Sequence, residues 1–212
     1  MAQPFDLAPL DLAALLCSRV CHDVISPVGA IGNGLEVLDE DDSEEMREVA
    51  LELIRSSARS AANRLKFARM AFGFGGSLGA EIDLGEAEAV ARAYVETERT
   101  KLVWMPPRQY MGKDRVKLLL TLLAVAGQAI PTGGTITAAA DGEGVSVVAT
   151  GPRLRVPSGL EGLLAGTPAE AVDAHAVVAF YAGLVARSIG LVASVSMEDD
   201  RVTIAAVPAT VA

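Results

Sequence analysis

The side chains with the most chemical promise sit in one short run, Cys21-His22-Asp23-Val24-Ile25-Ser26-Pro27. A neutral imidazole is a good nucleophile near neutral pH. It can attack the phosphorus of an aspartyl phosphate and become a phosphohistidine, which a second aspartate can then discharge. The adjacent carboxylate, Asp23, can hydrogen-bond a ring N–H, fix the tautomer and offset the positive charge that grows as the N–P bond forms. Phosphoryl transfer is served mainly by positioning and charge neutralisation, and Mg²⁺ bound by a phosphorylated partner could supply much of the latter. The same residue types also make an ordinary solvated helix surface, so at this level both readings stand.

Position on the helix sharpens the first reading. Residues 7–39 and 43–72 read as two long amphipathic helices. At about 100° per residue, Leu16, Val20, Val24, Val28, Ile31, Leu35 and Leu38 share one stripe of the first. Met46, Ala50, Leu53, Ala61, Leu65, Ala68 and Phe72 form the stripe of the second. His22 lies opposite the first stripe, facing solvent or a partner, with small or polar neighbours Ser18, Ser26, Gly29 and Asn33. Pro27 removes the hydrogen bond to the Asp23 carbonyl, so a loosened turn beside His22 is expected. Arg55, Arg59 and Lys66 fall together on the outer face of the second helix. They make a basic ridge that either docks an acidic partner, together with Arg19 and Ser26, or is simply solvated.

The connector Asp39-Glu40-Asp41-Asp42 is acidic, with Asp42 and Glu45 spaced as a capping box. So short a connection predicts an antiparallel hairpin. Two stripes cannot be well buried by two helices, so a second copy is expected to complete a four-helix bundle. A glycine-rich linker, Gly73-Phe74-Gly75-Gly76-Ser77-Leu78-Gly79, follows. It divides a hairpin domain, residues 1–76, from an α/β domain, residues 77–212. There the pattern predicts helices at 84–99, 113–130 and 171–189 and an extended Lys101–Met105. It predicts a strand pair at 134–140 and 144–150, a Gly/Pro-rich loop at 151–169, and a hairpin of 191–197 with 201–207. The fold class is α+β: a helical hairpin followed by a layered α/β sandwich.

Composition excludes several functions. A net charge of −9 with no basic tail argues against a nucleic-acid partner. Apolar stretches are broken before membrane-spanning length, and the N-terminus lacks the basic region of a secretory signal, so a cytoplasmic protein is the expectation. The two cysteines, Cys17 and Cys21, are one helical turn apart and are expected to be reduced, buried thiols. With His22 nearby and His175 the only other histidine, the chain lacks ligands for a closed zinc site, and no metal is expected. His175 itself is expected to be structural or solvated.

His22-Asp23-x-x-Ser26-Pro27 resembles the phosphoacceptor motif of histidine-kinase dimerisation domains. The order hairpin, linker, α/β domain is similar too, and Gly133-Gly134-Thr135-Ile136 resembles a strand start of the kinase (Bergerat) ATPase module. Against that pattern the nucleotide-binding residues are missing. Ala126, Gly127 and Gln128 stand where the Mg²⁺-binding asparagine would be, Ala149 replaces the adenine-binding aspartate, and Arg153 replaces a glycine. Val172-Asp173-Ala174-His175-Ala176 takes the place of the phosphate loop. An intact acceptor beside a degenerate ATPase domain is similar to the ChpT-type histidine phosphotransferases of alphaproteobacteria. Leu16–Pro27 and Phe67-Ala68-Arg69-Met70-Ala71-Phe72-Gly73 carry this likeness. The resemblance implies a homodimer with His22 as phosphoacceptor and Asp23 as its helper, without ATP binding or any cofactor of its own. It implies transfer from the receiver domain of a hybrid histidine kinase (CckA-type) to response regulators of the CtrA and CpdR type. An active histidine kinase and a non-catalytic dimeric scaffold are the competing classes.

Overall fold

The computed structural model describes residues 7–40, 43–73 and 80–209. Helix α1 spans Pro9–Glu40 and runs through Pro27. Helix α2 spans Glu44–Ala68 and continues into a π-helical turn, Arg69–Gly73. Ser43 begins α2: its backbone is extended and its hydroxyl accepts the Met46 N–H at 3.4 Å. Asp42, the residue expected to cap this helix, lies outside the described residues, as do 74–79 of the expected linker. Glu44 and Glu45 in the first turn suit the helix dipole.

The two helices are held close by Gly34, the one buried residue of α1. A Cβ there would lie 2.7 Å from Ile54 Cγ1 and 3.2 Å from the Ala50 carbonyl oxygen, so only glycine lets the backbones approach this far. Of the two predicted stripes, one flank is covered and the other is open. Leu16, Val20, Val24 and Ile31 are half-buried, whereas Val28, Leu35, Met46, Leu53 and Leu65 are exposed, as are Leu10, Ile25 and Val49.

The remaining chain forms a sheet with helices against it. Strands β1 (Glu81–Asp83) and β3 (Tyr110–Gly112) make a small antiparallel ribbon. Between them lie α3 (Leu84–Val95) and β2 (Thr100–Trp104). Helix α4 (Lys113–Ala129) leads to β4 (Gly134–Asp141), which pairs parallel with β2 and antiparallel with β5 (Gly144–Thr150). Then come α5 (Leu160–Ala165), α6 (Val177–Ser188), β6 (Leu191–Glu198) and β7 (Arg201–Pro208). The five-stranded order is β2-β4-β5-β7-β6. Alternate residues Ile136 and Ala138, Val145, Val147 and Ala149, and Val202, Ile204 and Ala206 are buried. They point to one face, as a strand's two-residue period requires. Helix α4 lies over that face with Leu118, Leu119, Leu120, Leu122 and Leu123 fully buried.

Four expectations need correction. Helix α3 stops at Val95 rather than 99, because the Thr97 hydroxyl accepts the N–H groups of Arg99 and Thr100 and turns the chain. The expected loop 151–169 contains α5, whose flanking Gly159 and Gly166 are left-handed caps at φ 69° and 79°. The last helix begins at Val177, not 171, after a turn closed by Asp173. And α1 is long and apolar enough, by length and composition, to cross a membrane. Its central Arg19–Asp23 ion pair would be costly in lipid, and one flank packs on α2.

The foot of the hairpin shares the core of the sheet domain. Phe67 stacks on Tyr94 of α3 with centroids 3.7 Å apart, Met70 and Ala71 are buried, and Phe72 meets Tyr181 of α6 edge-on at 5.7 Å. Met70 and Ala71 lie three and four residues beyond Phe67, the spacing that shares one side of a helix.

Candidate functional site

His22 projects from the middle of α1 with 62% of its side chain accessible. Ser18, Ser26, Gly29 and Asn33 along the same face are all exposed. Nothing lies within 4 Å of where a Gly29 Cβ would stand. The imidazole is therefore open to a large partner. Its Nδ1 lies 3.7 Å from Asp23 Oδ1, a charge contact slightly longer than a hydrogen bond. Asp23 thus faces the Nδ1 side of the ring.

Asp23 is held from behind. Its Oδ2 accepts from Arg19 Nε at 3.0 Å, one helical turn back, and both side chains are mostly buried at 16% and 15% accessibility. Arg19, expected at a docking surface, is thus committed to Asp23. Tyr94 of α3 sits near both residues, and burial pushes its hydroxyl up, with the Asp23 charge adding to the effect. Arg19, close enough to hydrogen-bond the hydroxyl, and Arg64 oppose it. The acidic residue flanking the exposed nucleophile is thus clamped by an arginine, with a tyrosine from a distant part of the chain nearby.

A second imidazole completes the neighbourhood. The rings of His22 and His175 meet edge to face, with centroids 5.1 Å apart and planes at 77°. His175 is exposed on the turn that opens α6. Its backbone N–H and that of Ala176 both donate to Asp173 Oδ1 at 2.8 Å, and these bonds, that of Ala176 first, hold the Asp173 carboxyl below its ordinary range.

The chain's relatives show its family. A family model described as the histidine phosphotransferase C-terminal domain matches residues 84–201, more than half the chain. This chain belongs to the histidine phosphotransferase family. The protein phosphotransferase ChpT of Brucella abortus (strain 2308) is 44% identical over 200 residues, covering 92% of this chain and 94% of that relative. A solved structure described as a bacterial phosphotransferase superposes with a TM-score of 0.86 at 41% identity, covering 97% of this chain and all of the other. These likenesses bear out the resemblance to ChpT-type phosphotransferases and the α+β architecture.

In this phosphotransferase the remaining predicted residues are dispersed. Ser26 is exposed one turn beyond His22. Counting about 1.5 Å per residue from the Gly34 contact with Ala50 and Ile54, His22 lies some 18 Å down α1, at the level of about residue 64 of α2. Lys66 is therefore level with His22, and it lines a cavity of about 270 Å³ with Asn63, Arg69 and Glu86. Arg55 and Arg59 lie roughly 14 and 8 Å closer to the connector. Arg59 pairs with Glu52 at 3.1 Å, and both are mostly exposed. The cysteines are not buried, as expected, but exposed and free, on the open flank of α1 with Leu10, Val28 and Leu35. Among the described residues no cluster of three or more metal-ligating side chains occurs. Tyr94 and the His175 contact were not anticipated. Neither has a local signal, because each depends on how the sheet domain docks on the hairpin.

Proposed function

We propose that His22 is the phosphoacceptor of a phosphorelay and that Asp23 assists it. The observation carrying this reading is an exposed imidazole whose Nδ1 side is turned to a clamped carboxylate. The Nε2 lone pair attacks the phosphorus of a receiver aspartyl phosphate. As the N–P bond forms, the P–O bond breaks and its electrons leave with the receiver carboxylate. The ring, with Nδ1–H retained, becomes cationic, and Asp23 offsets that charge. In the second half the carboxylate of another receiver attacks the same phosphorus, and the electron pair returns to Nε2.

The donor in this reading is the receiver domain of a hybrid histidine kinase of CckA type, and the acceptors are CtrA- and CpdR-type response regulators met in the cytoplasm. Each would bring its own Mg²⁺. ATP is not used. The cavity of about 480 Å³ beside α6 is lined by Gln128, Glu170, Asp173 and His175, and by no lysine or arginine. Two carboxylates without a cationic counterpart would repel a triphosphate. The protein works as a homodimer, since a second copy would cover the open apolar flank of the hairpin and complete a four-helix bundle.

The test is incubation of the purified protein with a ³²P-phosphorylated receiver domain and no ATP. An acid-labile, alkali-stable label is expected on His22 and none on the His22→Gln protein. Label retained by His22→Gln, or label gained from ATP alone without a receiver, would refute the reading.

A further inference from the structure

We propose that His175 is a second functional imidazole of the phosphotransfer site, donating a hydrogen bond to the phosphoryl group while it is carried on His22. This rests on His22 being the phosphoacceptor. The two rings touch, with centroids 5.1 Å apart and planes at 77°. The oxygens of a phosphoryl group on His22 spread around the ring nitrogen, and a neighbouring ring in contact lies within the space they sweep. An imidazole always keeps at least one N–H donor, neutral or cationic, so the role needs no change of protonation state. A donor at that place meets three anionic oxygens, and charge-assisted hydrogen bonds are the stronger kind.

The surroundings favour this assignment over an incidental contact. His175 comes from the opposite half of the chain, so its place beside His22 is made by the docking of α6 on α1 and not by helix periodicity. Its backbone is fixed, because Asp173 Oδ1 accepts from both His175 N and Ala176 N at 2.8 Å. The charged neighbour of His22 is the carboxylate of Asp23. A dianionic phosphoryl group there would gain from a donor, and His175 is the group positioned to provide one. The transfer step itself is unchanged: His175 keeps its proton, and only the N–P and P–O bonds exchange.

The test uses the full-length protein with two phosphoryl donors. One is a phosphorylated receiver domain; the other is phosphoramidate, too small to depend on protein docking. His175→Ala should acquire label on His22 about tenfold more slowly from both donors. That is less than the 10²–10³ lost when an enclosed donor is removed, because this site is open to water. The receiver concentration giving half-maximal rate should not change. His175→Gln, which keeps an N–H, should recover to within about threefold of the wild-type rate. An exposed residue should leave the thermal midpoint of both variants in place. Wild-type labelling of His175→Ala by phosphoramidate, or an effect confined to the half-maximal receiver concentration, would overturn the proposal and leave His22 as acceptor. Failure of the wild-type protein to become labelled on His22 would overturn both.

Discussion

Replacing Asp23 by asparagine removes one negative charge 3.7 Å from His22 Nδ1 while keeping the side chain's size. Positive charge grows on the ring as the N–P bond forms, so the loss falls on the transition state and the phosphorylated product. Coulomb's law at that distance gives about 1 kcal/mol in water and about 4 kcal/mol at an effective dielectric constant of 20. His22 is 62% accessible, which places the pair near the watery end. A value of about 1.5 kcal/mol follows, or roughly tenfold in rate. The assay is single-turnover transfer from a phosphorylated receiver, with concentration varied to separate the maximal rate from half-saturation. The maximal rate should fall about tenfold with half-saturation unchanged. Arg19→Ala should slow transfer through the same carboxylate, so adding it to Asp23→Asn should cost far less than it does alone. A maximal rate within twofold of wild type for Asp23→Asn, or strict additivity of the two changes, would show that the carboxylate does not serve His22.

Gly34→Ala gains helix propensity but drives a methyl group against Ile54 and the Ala50 carbonyl; a net loss of about 1–2 kcal/mol is expected. Calorimetry should show this as a fall in melting temperature of roughly 4 °C, and the same change should cost much less in an Ile54→Ala background. Leu35→Asp, on the open flank of α1, should convert a dimer to a monomer of the 22.0 kDa chain by light scattering, with its helical content kept. Asp173→Ala removes the oxygen that accepts two N–H groups at the start of α6 and should cost about 1 kcal/mol. Because the folded-state value of Asp173 is depressed, its contribution is present above the ordinary carboxylate range. It is lost as pH falls through the depressed value, so wild type and variant should converge in stability in acid. Denaturant unfolding at several pH values checks this.

Helical periodicity was enough to place His22 on an open face, because α1 is long and each residue's direction follows from its number. It could not say which flank of the apolar stripe α2 would take. That depends on the close approach at Gly34, and so the exposed cysteines were misjudged. Short elements were invisible for a different reason. The ribbon of Glu81–Asp83 with Tyr110–Gly112 has three residues a side, too few to show a period. The glycines at 159 and 166, which signal a loop, are in fact the two ends of α5. In the site itself Asp23 was readable by adjacency. The Arg19 clamp was not, because a residue one turn away on an amphipathic helix looks the same whether it meets solvent or a tyrosine from elsewhere.

The stack of Phe67 on Tyr94 makes the sheet domain a mount for the chemistry, whether or not it binds anything of its own. Tyr94 stacks on Phe67 of α2 and lies near Arg19 and Asp23 of α1, so α3 is tied to both helices of the hairpin. A hairpin severed from residues 80–209 would still display its imidazole to visitors. The acid behind it, held then by Arg19 alone, would lie more open to water, and the speed of each handover would depend more on chance alignment.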